Sequence, residues 1–150
     1  MKTQPHVVLP TEGEVYDFGP LHVVARITGK QSGGAFELYD ILMGPGTVDY
    51  HVHNKMEETL CVTEGEVEFV VAGESFVRAA GSVAFVPRGV HHGFTNHSPS
   101  HARVLAFFTP SGMQDEYFRE LVRVFKTSPP DQTEIKRLQL KYDQELVPAP

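Results

Sequence analysis

Gly81-Ser82-Val83-Ala84-Phe85-Val86-Pro87-Arg88-Gly89-Val90-His91-His92-Gly93-Phe94-Thr95-Asn96 is the stretch that decides the fold. Two short apolar segments flank a Pro-x-Gly break. Pro87 fixes one backbone angle and Gly89 accepts conformations closed to other residues, so the chain turns here. A strand over residues 82–86 enters the turn and a strand over 92–96 leaves it. Side chains alternate faces along a strand, which puts His92, Phe94 and Asn96 on one face and His91 on the other.

Upstream, Tyr50-His51-Val52-His53 repeats the theme. On a strand His51 and His53 point the same way and can share a metal ion. Taken alone, such a pair is more often two histidines on a wet surface. Glu57-Glu58-Thr59-Leu60-Cys61-Val62 adds a carboxylate. Alternation groups Glu58 with Leu60 and Val62, the more apolar set, so Glu58 points inward and needs a buried partner. Glu57 fits an exposed turn.

Further out, short apolar runs over 21–28, 35–43, 47–53, 58–63, 67–72, 75–78 and 104–108 are separated by Gly and Pro breakers. Many short strands with regular turn signals predict an all-β sandwich or barrel. Residues 1–20 read as an N-terminal arm, 21–110 as the barrel and 111–150 as a C-terminal helical extension of the same domain. Ser111 followed by Gln114 resembles a capping box, and Phe118, Leu121, Val122 and Phe125 recur at helical spacing. A second helix starts at Ser128-Pro129-Pro130-Asp131 with Pro just inside it. Its apolar face is Ile135, Leu138 and Tyr142. The two helices read as a packed cover or a dimer contact.

Composition bounds the function. The chain has 150 residues, enough for one core, and a net charge of -6. No stretch gathers Lys and Arg, which argues against nucleic acid as a partner. No apolar run approaches the ~20 residues of a membrane helix. The start of the chain carries no signal-peptide pattern, and the lone Cys61 forms no internal disulfide; a cytoplasmic location is the expectation. Six of the 8 histidines lie between His51 and His101.

These segments resemble the two motifs of the cupin superfamily. The second motif, G(x)5PxG(x)2H(x)3N, is matched at every fixed position by Gly81, Pro87, Gly89, His92 and Asn96. A chance match is on the order of 10⁻⁷ per starting position, given ordinary residue frequencies. The first motif, G(x)5HxH(x)3–4E(x)6G, is matched by His51, His53, Glu58 and Gly65, while Pro45 stands in place of its opening Gly. The resemblance implies a double-stranded β-helix, or jelly-roll, barrel. It also implies that His51, His53, Glu58 and His92 hold one divalent transition metal ion: Fe, Mn or Ni, with Zn and Co as alternatives. The flanks, Ile27-Thr28-Gly29 with Ser32 to Phe36 and Phe108 to Met113 leading into Tyr117, resemble those of single-domain quercetinase-like cupins.

The expected pocket is apolar. Leu60, Val62 and Phe94 share the ligand faces, with Phe69 and Phe108 added. Such a wall suits a small organic molecule. The first expectation is a dioxygenase acting on a small enol, flavonol-like or aromatic substrate, with Glu58 as ligand and proton acceptor. Two alternatives stay open: an O2-independent metal-assisted isomerase, decarboxylase or cyclase, and a non-enzymatic small-molecule-binding cupin. Asp49 is a further candidate carboxylate. A homodimer is expected from the apolar residues of the arm, Val7, Val8, Leu9, Val15 and Phe18.

Overall fold

A computed structural model describes residues 2–150. Among the described residues, eleven strands and two helices follow one another as β1 (Val15–Phe18), β2 (Leu21–Ile27), β3 (Glu37–Met43), β4 (Gly46–Val52), β5 (Glu57–Glu64), β6 (Glu66–Val71), β7 (Glu74–Ala79), β8 (Val83–Val86), β9 (His92–Asn96), β10 (Ala102–Thr109), α1 (Gln114–Val124), α2 (Gln132–Lys141) and β11 (Glu145–Leu146). They form two antiparallel sheets, ordered β1-β2-β3-β10-β5-β8 and β11-β4-β9-β6-β7. The all-β jelly roll with short C-terminal helices is the architecture the sequence predicts. None of the described helices is long and apolar enough to cross a membrane.

Alternation explains the interior. On β3 the buried set is Glu37, Tyr39, Ile41 and Met43; on β10 it is Ala102, Val104, Ala106 and Phe108; on β5 it is Glu58, Leu60 and Val62. These strands are neighbours in one sheet, so the three inward rows form one wall of the core. Helix α1 closes that core at one end. Its Phe118 meets Tyr39 edge-on at 5.0 Å between ring centroids and stacks on Phe18 at 5.5 Å.

Three expectations are corrected. Part of the N-terminal arm is a strand: β1 pairs with β2 from Val15↔Val24 to Phe18↔Leu21, and Tyr16 is buried. Arg26 reaches three carbonyls of the arm, those of Leu9, Pro10 and Glu12, and pins it further. Phe18 is therefore covered by α1, while Val7 and Leu9 stay exposed. Second, Ser111 does not form the expected capping box. The residue before α1 is Met113, in a left-handed conformation, and no side chain at that position caps the helix. The free amides of Gly112 and Gln114 instead donate to the carboxylate of Glu37, at 2.9 and 3.0 Å. Third, the prolines precede α2 rather than opening it. Asp131 is the cap and accepts from Thr133 and Glu134. Strand β11 adds to these elements; at two residues it carries no periodicity in the sequence.

Candidate metal centre and cavity

The two sheets meet at the four residues singled out by the sequence. His51 on β4 lies directly opposite His92 on β9. Residues so paired across antiparallel strands bring their side chains into contact, and the two rings sit 4.3 Å apart. Gly93 makes this approach feasible. A β-carbon there would come within 2.9 Å of the Val48 carbonyl oxygen, so a larger residue would push β9 off β4. His53 stands just past the end of β4. Its carbonyl accepts the amide of Gly89 at 2.7 Å, which ties the Pro87 turn to the first motif. Glu58 comes from the other sheet, on β5, opposite Phe108 and Val86.

All four side chains are buried, and their candidate ligand atoms lie within 4.8 Å of one another. The outer nitrogen of each ring has a carbonyl oxygen beside it: His51 Nδ1 with Asp49 O at 2.6 Å, His92 Nδ1 with Val90 O at 3.0 Å and His53 Nδ1 with Asp143 O at 2.5 Å. A carbonyl can only accept, so each Nδ1 carries hydrogen and each Nε2 of a neutral ring is a bare lone pair. Those lone pairs converge. His51 Nε2 is 3.2 Å from His53 Nε2, and the Glu58 Oε2 is 3.1 Å from His53 Nε2 and 2.7 Å from His92 Nε2.

Four acceptors gathered in a buried space favour a cation between them. A proton serves in part. Burial acts to lower His53, but the hydrogen bond and charge of Glu58 outweigh it and raise it. Burial, reinforced by His92 and His53, pushes His51 down to about 3, so that ring stays neutral. Burial would raise Glu58, yet its contacts with His53 and His92 hold it well below the usual carboxylate range. A divalent metal fits better. Ligands at about 2.0–2.2 Å from an ion stand roughly 3.0–3.4 Å apart when adjacent, close to the spacings seen. Three neutral imidazoles and one carboxylate leave such an ion with net charge near +1. Metal loading should therefore raise the melting temperature, and a chelator-treated sample should melt earlier yet still cooperatively, because the core exists without the ion. Differential scanning calorimetry checks this; an apo form unfolded at room temperature would contradict it.

The cluster opens into a cavity of about 230 Å³. His51, His53 and Glu58 form part of its wall, with Ile41, Val48, Phe94 and Phe108 from the sheets. Of the pocket residues expected from alternation, Phe94 and Phe108 line it. Leu60, Val62 and Phe69 do not: they are buried in the core. Alternation gives the face of a strand but not the depth along it. Leu60 and Val62 lie progressively further along β5 from Glu58, and Phe69 lies on β6, on the far side of β9 from β4. The missing wall comes from the C-terminal extension. Tyr117, Phe118 and Leu121 of α1 and Ile135 and Gln139 of α2 border the cavity, so these helices are more than a cover. The Gln139 Oε1 is buried there without a hydrogen-bond partner. Asp49 also borders the cavity. Asn96 does not; it holds a turn, donating to Met43 O and Ser100 O. His91 is exposed against Tyr50, and His97 pairs with Glu68 on the surface.

Comparison with known proteins agrees with this geometry. The profile of the family described as "Cupin domain" matches residues 39–108, the segment that carries all four candidate ligands. With the jelly roll and the buried cluster, that match marks this segment as a cupin domain. Among curated proteins it is similar to the quercetin 2,3-dioxygenase of Bacillus subtilis (strain 168), at 29% identity over 109 residues. The alignment covers 72% of this chain and 32% of that one, so the chain spans about a third of its relative's length. Among solved structures it is similar to the polyketide cyclase RemF from Streptomyces resistomycificus, with a TM-score of 0.64 and 21% identity over 72% of this chain and 81% of that one. An RmlC-like cupin from Shewanella frigidimarina NCIMB 400 superposes with a TM-score of 0.62 and 24% identity, covering 74% and 96%. At these identities the likeness is one of fold.

Proposed function

We propose that this cupin is a metal-dependent dioxygenase acting on a small enol, flavonol-like or aromatic substrate. One observation carries the reading: three of the four donors, His51, His53 and Glu58, line an aromatic-walled cavity between the sheets and the C-terminal helices. When bound, a divalent transition metal supplies Lewis acidity, and a redox-capable one supplies O2 chemistry. The side chains do the rest. Phe94 and Phe108 offer flat apolar surface to a ring. Glu58, the only carboxylate of the cluster, accepts the proton of an acidic enol or phenol hydroxyl. The helices keep bulk water from the reacting atoms. A cavity of roughly 150 Å³ suffices for benzene, so the space here suits one or two rings. The similarity to a quercetin 2,3-dioxygenase supports the same class.

A second reading has one specific observation behind it. Asp49 borders the cavity two residues before His51, and a second carboxylate favours O2-independent proton transfer in an isomerase, decarboxylase or cyclase.

An oxygen electrode decides between them. Chain loaded with Fe, Mn or Ni should consume O2 in proportion to loss of a catechol, enediol or flavonol, and the Zn form should not, because Zn has no redox chemistry. Glu58→Gln should abolish the uptake. No uptake by any metal form above the metal-only control would overturn the dioxygenase reading. Anaerobic turnover by the Zn form, lost in Asp49→Asn, would put the second reading in its place. Tight binding without turnover would mark a binding module.

A further inference from the structure

Each candidate metal-binding histidine is oriented by one backbone carbonyl, but the three carbonyls are not equivalent. Those of Asp49 and Val90 lie two residues from the histidines they hold and belong to the barrel. The third belongs to Asp143, 90 residues from His53, in the C-terminal segment. The same residue makes two further bonds to this end of the barrel. Its carboxylate accepts the amides of Asn54 and Lys55, both at 2.8 Å, in the turn that leads from His53 to Glu58. Asp143 thus grips the backbone between two ligands with its side chain and one ligand ring with its main chain.

The local geometry sharpens the point. Asp143 follows the last turn of α2 in a left-handed conformation, φ 60°, and the next amide, Gln144, bonds back to Gln139 O at 2.7 Å. This is a helix C-terminus of the kind that favours glycine, or else asparagine. An aspartate tolerates that backbone without needing its carboxylate there. Its carboxylate is used on the ligand turn instead. Beyond it, β11 adds to β4 with Leu146 opposite His51, and the Val147 amide bonds to Tyr50 O. The segment from α2 to β11 therefore both walls the cavity and touches the strand that carries His51.

We infer that Asp143 is a positioning residue that couples metal binding to docking of the C-terminal segment over the cavity. The inference rests on the metal-centre reading. A docked segment holds the His53 ring with Nδ1 on Asp143 O, and an ion held by that ring would favour the same orientation. By reciprocity, each event strengthens the other. The docked segment carries Ile135 and Gln139 in the cavity wall.

Amide hydrogen exchange on the full chain, with and without Zn2+, tests this, together with Zn2+ affinity from competition with a chromophoric chelator. In the wild type, Zn2+ should slow exchange at Asn54, Lys55, Leu146 and Val147 by about tenfold or more. Asp143→Gly keeps the left-handed cap and removes the carboxylate. It should retain the helical signal, bind Zn2+ about tenfold more weakly, in the range usual for partners behind a ligand, and lose the metal-dependent protection. Asp143→Asn, which suits the backbone and keeps one acceptor, should restore part of both. A purely structural role would lower the melting temperature without a metal-dependent change in exchange. If the wild type binds Zn2+ one to one but exchange in the segment is unmoved, or if Asp143→Gly matches the wild type in affinity, the coupling is wrong and the metal centre stands. If the wild type binds no Zn2+, both fall together.

Discussion

His92→Ala should lower divalent-metal affinity by about 100-fold or more, beyond the 10–100-fold typical of partners behind a ligand, and leave the barrel folded. The reason is geometric. His92 Nε2 makes the shortest contact of the cluster, 2.7 Å to Glu58 Oε2, and its ring packs against both His51 and His53. Removing it takes away one of four donors and leaves Glu58 with a single imidazole partner. Glu58→Gln should weaken binding in the same direction, because a neutral amide neither balances the ion's charge nor ligates as strongly. Glu57→Ala is the control. Glu57 alternates to the other face, half-buried beside Arg88 at 3.5 Å, and its loss should change affinity by less than about threefold, as expected of a surface ion pair. Competition titration on all three variants checks the series. Equal affinity in His92→Ala and wild type would contradict the assignment.

The largest effect on stability is expected at Glu37. Its carboxylate is fully buried, at 0% exposure, and accepts from the Tyr39 hydroxyl at 2.8 Å and from the Gly112 and Gln114 amides. It also stands at the start of α1, where the helix dipole favours a negative charge. Bonds to a charged group contribute about 1.5–3 kcal/mol each, so Glu37→Ala should cost roughly 3–5 kcal/mol, allowing for non-additivity. Glu37→Gln keeps the shape but turns an NH2 group toward donors, and should cost more than about 2 kcal/mol. Urea denaturation followed by circular dichroism gives both numbers. A loss below about 0.5 kcal/mol in Glu37→Ala would show that α1 is held by its apolar face alone. Because α1 also supplies Tyr117 and Leu121 to the cavity, ligand binding should weaken along with stability.

What could be read in the sequence was what has a period or a fixed spacing. Strand alternation separated Glu58 from Glu57 and His92 from His91, and the Pro87–Gly89 turn marked where β9 begins. The grouping of the four metal candidates into one ligand set is what the resemblance to the two cupin motifs implies. What could not be read depends on long-range partners. Nothing local distinguishes Glu37 from a surface carboxylate; its three donors include two amides more than seventy residues away. Asp143 is likewise defined by His53, Asn54 and Lys55. Ser111 and Gln114 formed a plausible local cap, and a tertiary carboxylate took its place. The cavity wall divided in the same way: Phe94 and Phe108 sit beside the ligands in register, whereas Tyr117, Phe118 and Gln139 reach the cavity only once the helices dock.

The cluster of three imidazoles and one carboxylate beside the cavity is expected to hold a single metal ion. Elemental analysis after reconstitution with excess Mn2+ or Zn2+ and exhaustive dialysis tests it most directly. The wild type should retain one ion per chain, and His92→Ala well under one. A wild-type chain that retains no ion, or a variant that retains as much as the wild type, would contradict it.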